Sequence, residues 1–189
     1  MAADTISTNP SRIRLPRNTL VLLVGPAGCG KSTFAARHFR PTEIVSSDAC
    51  RALISDDPAN QAVSSHAFAL MHMIIEKRLL LGRLTVCDAT SLDRTARNAL
   101  ARIARRFGFN IAAIVLDTPL DVCVRRNSGR GRVVPEDALR NQYRMFERAK
   151  RSVEREGLDY VFTLDQKGQS GVVIEVSARA KSRPNAAGR

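Results

Sequence analysis

A glycine-rich segment that follows an apolar run constrains the fold of this chain more than any other feature. Residues 25–32 read GPAGCGKS, which matches G-x-x-x-x-G-K-[ST] at every fixed position, and residues 20–24 before them read LVLLV. Glycines let a backbone curl tightly enough to direct several N–H groups at phosphate oxygens, and a helix that begins at Lys31 would add the positive end of its dipole. The segment therefore predicts a strand, a phosphate-binding loop and a helix, in that order.

Two residues of this segment carry chemistry that the glycines lack. The Lys31 ammonium is expected to reach the β- and γ-phosphates of a nucleoside triphosphate, and the Ser32 hydroxyl is expected to bind Mg²⁺. The alternative is a chance match in a glycine-containing turn, which gives no reason for a strand before the loop and a helix after it. The segment therefore predicts a nucleoside triphosphate site and leaves open which molecule receives the phosphate.

Composition limits the chain to one domain of basic character. The 189 residues, 44% of them hydrophobic, are enough for one packed core and too few for two. The formal net charge of +12 favours a polyanionic partner such as nucleic acid, although a basic surface can also serve solubility alone.

Cysteine usage and hydropathy predict the cellular compartment. The four cysteines form no C-x-x-C pair and are interpreted as reduced thiols, as expected in the cytoplasm. Residues 1–16 lack a continuous apolar stretch, and no segment approaches the roughly 18 apolar residues that a membrane span needs. We therefore expect a cytoplasmic protein without membrane contact.

Strand-like and helix-like segments alternate along the chain, which is typical of an α/β fold. The predicted parallel sheet has about five strands, at Leu20–Val24, Glu43–Ser46, Leu84–Asp88, Ile111–Leu116 and Tyr160–Leu164. The helices predicted between them include Lys31–Phe39, Ala59–Leu81 and Thr95–Phe107. Gly82 and Gly108 follow the last two helices, where a left-handed residue commonly ends a helix.

The two ends of the chain differ in composition from the segment between them. Residues 1–17 are polar and predict a flexible N-terminal segment, whereas residues 18–176 carry the pattern of a single domain. A β-like run at residues 170–176 ends that domain. Residues 177–189 contain mainly Ala, Arg, Lys, Pro and Gly without periodicity, which predicts a basic, disordered tail.

A carboxylate follows the second predicted strand. Asp48, in the segment SSDACR at residues 46–51, lies at the carboxyl end of that strand, and this edge of an open α/β sheet is where ligands bind. Asp48 can there accept the proton of an attacking hydroxyl, and Arg51 would share its helix face. The alternative, that Asp48 caps a helix and Arg51 is its intrahelical partner, fits the spacing equally well.

Four arginines lie within eight residues after the fourth predicted strand. They are Arg125, Arg126, Arg130 and Arg132, and two glycines lie among them. A mobile arginine-rich loop that closes over a triphosphate neutralises charge on the transferring phosphoryl group, so we expect an arginine-rich lid. For any one of these arginines, the alternative is an exposed side chain that faces water.

Two further patterns leave alternatives open. Asp88 ends a predicted strand and has the form of a Walker B acid near Mg²⁺, although it could also be a turn residue. A predicted helix beyond Pro135 displays arginines every three or four residues, at Arg140, Arg144, Arg148, Arg151 and Arg155. This stripe could follow a phosphate backbone, but Glu–Arg pairs four residues apart are also typical of a solvated helix face.

The motifs of this chain and their order along the sequence resemble the kinase domain of bacterial end-healing polynucleotide kinase-phosphatases. More broadly, they resemble phage polynucleotide kinases. The resemblance covers roughly residues 20–164. It rests on the phosphate loop, on SSDxxR at residues 46–51, on SDD at 55–57 with Gln61, on TVCDAT at 85–90 and on CxxRN at 123–127. It implies a P-loop NTPase fold in which residues 18–176 form a kinase domain, and transfer of the ATP γ-phosphate to 5′-OH ends of DNA or RNA.

The resemblance also implies the donor side of the site. ATP and Mg²⁺ would be the cofactors, with Lys31 on the phosphates and with Ser32 and Asp88 on the metal. Cys29 stands where such loops usually carry Ser or Ala, a mild departure that should leave phosphate binding intact. The residues implied in ATP binding are Gly25, Pro26, Ala27, Gly28, Cys29, Gly30, Lys31, Ser32, Thr33, Arg126 and Arg130.

The catalytic residues that the resemblance implies are Lys31, Asp48, Arg126 and Arg132. Asp48 would be the general base, Arg51 would grip the acceptor phosphate, and Gln61 would contact the acceptor with them. The spacing to the second lid arginine is one residue shorter than in the family, so Arg132 is the first choice and Arg130 the reserve.

The end-healing enzymes continue into phosphatase and ligase-like domains whose motifs these 189 residues lack. The sequence has no histidine-aspartate metal motif, no D-x-D-x-T motif and no K-x-D-G lysine, so we expect no 3′-end activity and consider separate phosphatase and ligase proteins as candidate partners. Two other classes stay open. They are a small-molecule kinase with the same loop, base and lid, and a non-catalytic nucleotide-dependent module that binds nucleic acid.

Overall fold

The computed structural model describes residues 5–129 and 133–178, and strands alternate with helices along them as the sequence predicts. The strands are β1 (Thr5–Thr8), β2 (Arg12–Pro16), β3 (Thr19–Val24), β4 (Ile44–Ser46), β5 (Thr85–Asp88), β6 (Asn110–Leu116), β7 (Tyr160–Leu164) and β8 (Val173–Ser177). The α-helices are α1 (Lys31–His38), α2 (Ser47–Ser55), α3 (Ser64–Leu80), α4 (Arg94–Arg106), α5 (Leu120–Ser128), α6 (Glu136–Ser152) and α7 (Gln166–Gly171).

Six strands form one parallel sheet in the order β1-β7-β6-β3-β5-β4. Every residue of the central strands β3 and β6 is buried, which is the pattern of a parallel sheet covered on both faces. Alternate residues of β3 enter different clusters. Leu20 and Leu22 pack with residues of α3, α4 and α6, whereas Val21 and Leu23 pack with residues of α1 and α5. The sheet therefore separates two cores, and its central strand leads into the glycine-rich segment.

The prediction of a flexible segment over residues 1–17 is wrong for residues 5–16, which contain β1 and β2. The first extends the main sheet beyond β7, and the second pairs in parallel with β8 as a separate two-stranded sheet. Ile13 and Leu15 are buried, and the arginines on either side of Ile13 form ion pairs with Glu175. The polar sequence misled the prediction because these strands depend on partners more than 150 residues away.

The predicted helix Ala59–Leu81 begins later than expected. A 3₁₀ turn, Gln61–Val63, precedes α3, and the Asn60 side chain accepts a hydrogen bond from a backbone N–H of that turn. Gly82 and Gly108 have φ values of 71° and 67°, so both adopt the left-handed conformation predicted for the residues after α3 and α4.

The predicted β-like run near the C-terminus divides into the end of α7 and the strand β8. Residues 179–189 of the predicted tail lie outside the described residues. Within the described ranges, none of the helices is long and apolar enough to cross a membrane.

Candidate active site

The glycine-rich segment forms a tight loop between β3 and α1. Gly28 and Gly30 have φ values of 77° and 105°, a region in which residues with a Cβ are strained. A Cβ at Gly28 would also lie 2.4 Å from the carbonyl oxygen of Cys123 in α5, so this glycine permits close packing of loop and helix. The Gly25 N–H donates to the carbonyl of Thr90 at 3.1 Å. The loop is therefore fixed at both ends, with its last residues at the N-terminus of α1.

Lys31 and the two residues after it form the first turn of α1. The Lys31 ammonium donates to the carbonyl oxygens of Gly25 at 2.9 Å and Pro26 at 2.7 Å, which holds it against the loop. Ser32 and Thr33 are exposed beside it. A cation, a hydroxyl and a helix N-terminus thus meet at one place, which is the combination that phosphate binding requires.

A cavity of about 610 Å³ opens beside this loop. The loop and α1 line it with Ala27, Gly28, Gly30, Lys31, Ser32 and Thr33. The predicted acceptor, metal and lid residues line it with Asp48, Arg51, Gln61, Asp88 and Arg126. Among the predicted site residues that the structure describes, Gly25, Pro26 and Cys29 do not line it, and all three are buried within the loop.

The cysteine of the loop, Cys29, faces inward. Its side chain is fully buried, its sulfur lies 3.7 Å from the Lys31 ammonium, and its carbonyl accepts a hydrogen bond from the Thr118 hydroxyl at 3.0 Å. Burial is the main cause that raises the pKa of the neighbouring Cys123 thiol to about 12. The four cysteines of the chain are buried and free.

Asp48 and Arg51 form an ion pair on one face of α2. The Ser46 hydroxyl accepts the Ala49 N–H at 3.4 Å and is the N-cap, so the interpretation of Asp48 as a helix cap is wrong, whereas the intrahelical pairing is present. Arg51 is only 5% exposed and also donates to the Pro58 carbonyl at 3.0 Å. These contacts hold a guanidinium beside a carboxylate in the wall of the cavity.

The residues expected at the metal are Ser32 and Asp88. Asp88 ends β5 opposite Ser46 of β4, is mostly buried, and lines the same cavity as the Ser32 hydroxyl. Hard oxygen donors suit Mg²⁺, which usually keeps several waters and takes one or two protein ligands beside substrate phosphates. In the described ranges no cluster of three or more His, Cys, Asp or Glu residues could hold a metal by itself. The donor set thus fits a magnesium ion shared with phosphates.

The start and end of the predicted lid are held together by Asn127. Its side-chain amide donates to the Val134 carbonyl at 2.7 Å and accepts the Val134 N–H at 3.0 Å, and the residue is 4% exposed. Arg126 extends over the phosphate loop, where a Cβ built on Gly30 would lie 3.7 Å from its guanidinium nitrogen. Arg130 and Arg132, the candidates for the second lid arginine, lie outside the described residues.

Several cavity residues have no counterpart in the sequence predictions. Gln142 of α6 accepts the Ala27 N–H of the phosphate loop at 2.9 Å, and Gln169 of α7 donates to the Thr118 hydroxyl at 3.0 Å. Arg37 and Phe68 also line the cavity, from α1 and α3. The sequence gives no signal for them, because single polar or aromatic residues on helices reach this site only through tertiary packing.

A buried ion pair between Arg97 and Glu156 contacts the segment that follows β5. Arg97 of α4 is 1% exposed. Its guanidinium donates to both carboxylate oxygens of Glu156, and the bond from Nε is 2.8 Å long. The guanidinium also donates to the Ser91 carbonyl oxygen at 2.8 Å. Burial alone would raise the pKa of Glu156, but hydrogen bonds from Arg97 and Ser152 and nearby arginine charge together hold that pKa below its ordinary value. Arg97 thus anchors the segment that follows Asp88 at the end of β5, in which the Thr90 carbonyl accepts the Gly25 N–H.

The arginine stripe follows α6 only as far as Arg151, because α6 ends at Ser152 and Arg155 lies in the 3₁₀ turn Val153–Arg155. Arg140 is paired with Glu136 at 2.6 Å, while Arg144 and Arg148 are exposed. One member of the stripe therefore has the solvated intrahelical pairing, and the contact of the others with nucleic acid stays a prediction.

The sheet and the phosphate loop define the chain as an α/β domain of the P-loop NTPase fold. Residues 20–149 match the AAA domain family AAA_33, and the chain belongs to this family. Transcription factor bHLH140 of Arabidopsis thaliana is 28% identical over 125 residues, which cover 65% of this chain and 13% of that protein.

Solved structures share the fold at lower identity. A chain of the Pnkp1/Rnl/Hen1 RNA repair complex has a TM-score of 0.62 and 21% identity, with 74% of this chain and 47% of that chain covered. A gluconokinase from Sinorhizobium meliloti 1021 has a TM-score of 0.54 and 20% identity, with 83% of this chain and 89% of that chain covered. The Mycobacterium tuberculosis APS kinase CysC, solved with AMPPNP and APS, has a TM-score of 0.51 and 17% identity, with 82% of this chain and 95% of that chain covered. The chain thus spans less than half of the repair-complex chain and most of each small-molecule kinase.

Proposed function

We propose that this protein is an ATP-dependent polynucleotide kinase that transfers the γ-phosphate to 5′-OH ends of RNA or DNA. The observation that carries the proposal is the Asp48–Arg51 pair in the wall of the cavity that the phosphate loop also lines. A carboxylate there can take a proton from a hydroxyl, and a fixed guanidinium beside it can bind an anion of the same acceptor. A 5′-terminal nucleotide within a strand offers both groups, a hydroxyl and a nearby phosphodiester.

The proposed reaction is an in-line displacement at the γ-phosphorus. The 5′ oxygen forms a bond to phosphorus, Asp48 accepts the hydroxyl proton, and the bond to the bridging oxygen breaks so that ADP leaves. Loop N–H groups and Lys31 stabilise the charge on the phosphates, and Arg126 approaches from the lid with Arg132, or Arg130, as the second arginine. Mg²⁺, held through Ser32 and Asp88, would supply further charge neutralisation on the phosphate oxygens.

Positive charge supports the choice of a nucleic acid as acceptor. The net charge of +12 attracts a polyanion over long range, and exposed arginines on α6 add to it. The Pnkp1/Rnl/Hen1 complex is an RNA repair complex, and by analogy separate phosphatase and ligase proteins would perform the other end-healing steps.

A small-molecule kinase is the second candidate. This chain covers nearly the whole length of a gluconokinase and an APS kinase, and this similarity in length supports a small acceptor. The loop, base and lid would serve such an acceptor equally well, so the acceptor itself must be tested.

The test is transfer of radiolabel from [γ-³²P]ATP to single-stranded DNA and RNA oligonucleotides that carry a 5′-OH. The same oligonucleotides with a 5′-phosphate are the matched controls, and gluconate and adenosine 5′-phosphosulfate are the small-molecule acceptors. Labelling of only the 5′-OH strands is the expected result. Labelling of a small molecule with no labelling of either nucleic acid would overturn the proposal.

A further inference from the structure

An aromatic ring stands exposed in the acceptor half of the cavity. Phe68 of α3 lines the cavity and is 40% exposed, although a phenylalanine of a globular protein usually buries most of its surface. Ser64, one helical turn earlier, lines the cavity too, and its hydroxyl donates to Gln61 at 3.3 Å. The ring thus continues a wall that begins with a predicted acceptor residue.

This wall belongs to the acceptor side of the site. Helix α3 and the 3₁₀ turn before it pack against α2, which carries Asp48 and Arg51. The guanidinium of Arg51 reaches back to the Pro58 carbonyl in the segment that connects these two helices. Phe68 therefore shares a wall with the carboxylate and the guanidinium, whereas Arg126 and Val134 line the cavity from the lid.

The chemistry around the ring restricts what it can bind. The ring adds a flat apolar face to a cavity whose lining also includes the charged or polar residues Arg37, Asp48, Arg51, Gln61 and Ser64. Nucleobases stack on such faces, and stacking tolerates different bases because every base has a π face. An acceptor with a hydroxyl, an anion and a base would use all three kinds of group in this wall.

We propose that Phe68 is the platform on which a nucleobase of the acceptor strand stacks. The inference rests on the proposed function and specifies its substrate: Asp48 meets the 5′-OH, Arg51 meets the phosphate, and Phe68 meets a base. Because a stacked base needs no hydrogen-bond readout, the enzyme accepts strands with little regard to sequence.

The test compares acceptor oligonucleotides that carry a base at each of the first two positions with oligonucleotides that are abasic at both. Wild-type protein should prefer the first kind by about 5- to 150-fold in kcat/KM, the range that stacking of one base supplies. Phe68→Ala should remove most of this preference through a higher KM for the base-containing acceptor, with little change for the abasic one. Phe68→Tyr should keep it, and Phe68→Leu, which keeps apolar volume without a π face, should lose much of it.

Two controls separate stacking from damage to the fold. ATP affinity should be the same in every variant, and Met73→Ala, which removes another exposed apolar side chain of α3 that does not line the cavity, should behave as wild type. If wild type labels 5′-OH strands but Phe68→Ala keeps the full preference for bases, the inference is overturned and the proposed function stands. If wild type labels no 5′-OH strand, both are overturned.

Discussion

Arg51 combines a permanent charge with almost complete burial, and its partners explain how both are tolerated. An uncompensated buried charge is costly, and the contacts to Asp48 and Pro58 offset that cost while they orient the guanidinium. A group held in this way is suited to bind the acceptor phosphate, because little side-chain freedom remains to be lost on binding.

Replacement of Arg51 should therefore alter acceptor choice. A nucleoside 3′-monophosphate should be a minimal acceptor, favoured over the plain nucleoside by a charge-assisted contact of about 1.5 to 3 kcal/mol. In Arg51→Leu this gap should shrink, because kcat/KM falls for the phosphorylated acceptor and stays nearly constant for the nucleoside. Steady-state kinetics with both acceptors measure it. An unchanged gap would mean that another cation, such as Arg37, holds the phosphate.

Asp48, the proposed general base, should be required for transfer and not for ATP binding. Asp48→Asn keeps the shape of the side chain but cannot take a proton, so transfer should fall by about two to four orders of magnitude while ATP still binds. Rapid-quench transfer assays and equilibrium ATP binding measure the two quantities. A transfer rate close to wild type would reduce Asp48 to a structural partner of Arg51.

At the scale of elements, the hydrogen bonds between Asn127 and Val134 connect α5 to the end of the segment that leads into α6. Asn127→Ala removes both and leaves the partly buried N–H and C=O groups of Val134 without these partners, which should cost about 1 to 3 kcal/mol of stability. We also expect a lower kcat, since Arg126 directly precedes Asn127 in α5. Urea unfolding and kinetics are the measurements, with the exposed neighbour Ser128→Ala as control. Equal stability and equal kcat of the two variants would show that the hydrogen bonds between Asn127 and Val134 have no such role.

The elements also show which features a sequence can reveal. The strand, loop and helix around Lys31 are predictable because local backbone requirements specify them, and the helix that starts at Lys31 is found as α1. Asp48 and Arg51 are predictable because they follow a strand at the sheet edge that binds ligands. All five predicted strands are present in the sheet.

The features that sequence analysis missed depend on distant parts of the chain. Gln142 reaches the Ala27 N–H across 115 positions of sequence, and no local pattern distinguishes it from other amides of α6. Phe68 has the helical spacing of a core residue, yet its ring lies open to the cavity. The charged strand β2 lacks the composition of a buried strand, and its pairing with β8 decides its structure.

At the scale of the whole molecule, the ion pair between Arg97 and Glu156 makes stability depend on pH. The pKa of Glu156 is lowered on folding, so its contribution is fully present above the ordinary value of 4.5 and is lost as pH falls through the lower folded value. Glu156→Gln should lose about 3 to 5 kcal/mol at pH 7, because Arg97 keeps a buried charge without a partner.

The difference in free energy of unfolding between wild type and Glu156→Gln should become smaller below pH 4.5, because the wild-type carboxyl is then neutralised as well. Urea unfolding from pH 7 to pH 3.5 measures the free energy of unfolding. The matched control is Glu154→Gln, an exposed carboxylate two positions away that should change stability little. A constant difference across this pH range would contradict the role given to the ion pair.

The basic surface predicts how binding responds to salt. Raising salt should weaken oligonucleotide acceptors much more than ATP alone, because each neutralised phosphate of a strand releases counterions. If the α6 stripe contacts the strand, Arg144→Gln with Arg148→Gln should reduce the slope of log K against log salt by about 1.4 for single-stranded acceptors. Fluorescence anisotropy across salt concentrations measures it, with the exposed Arg83 and Arg102 replaced together as control. An unchanged slope would mean that the arginine stripe of α6 faces solvent and does not contact the strand.

The pairing of β1 with β7 and of β2 with β8 sets an order of events during synthesis. Asn9, just after β1, binds Asp165, which emerges from the ribosome 156 residues later. The central strands β3, β5 and β6 can assemble while those first strands still have no partner. The strands β1 and β2, although made before β3, are thus among the last to be placed. Until β1 is placed, β7 has an open edge, and such an edge can pair with another nascent chain.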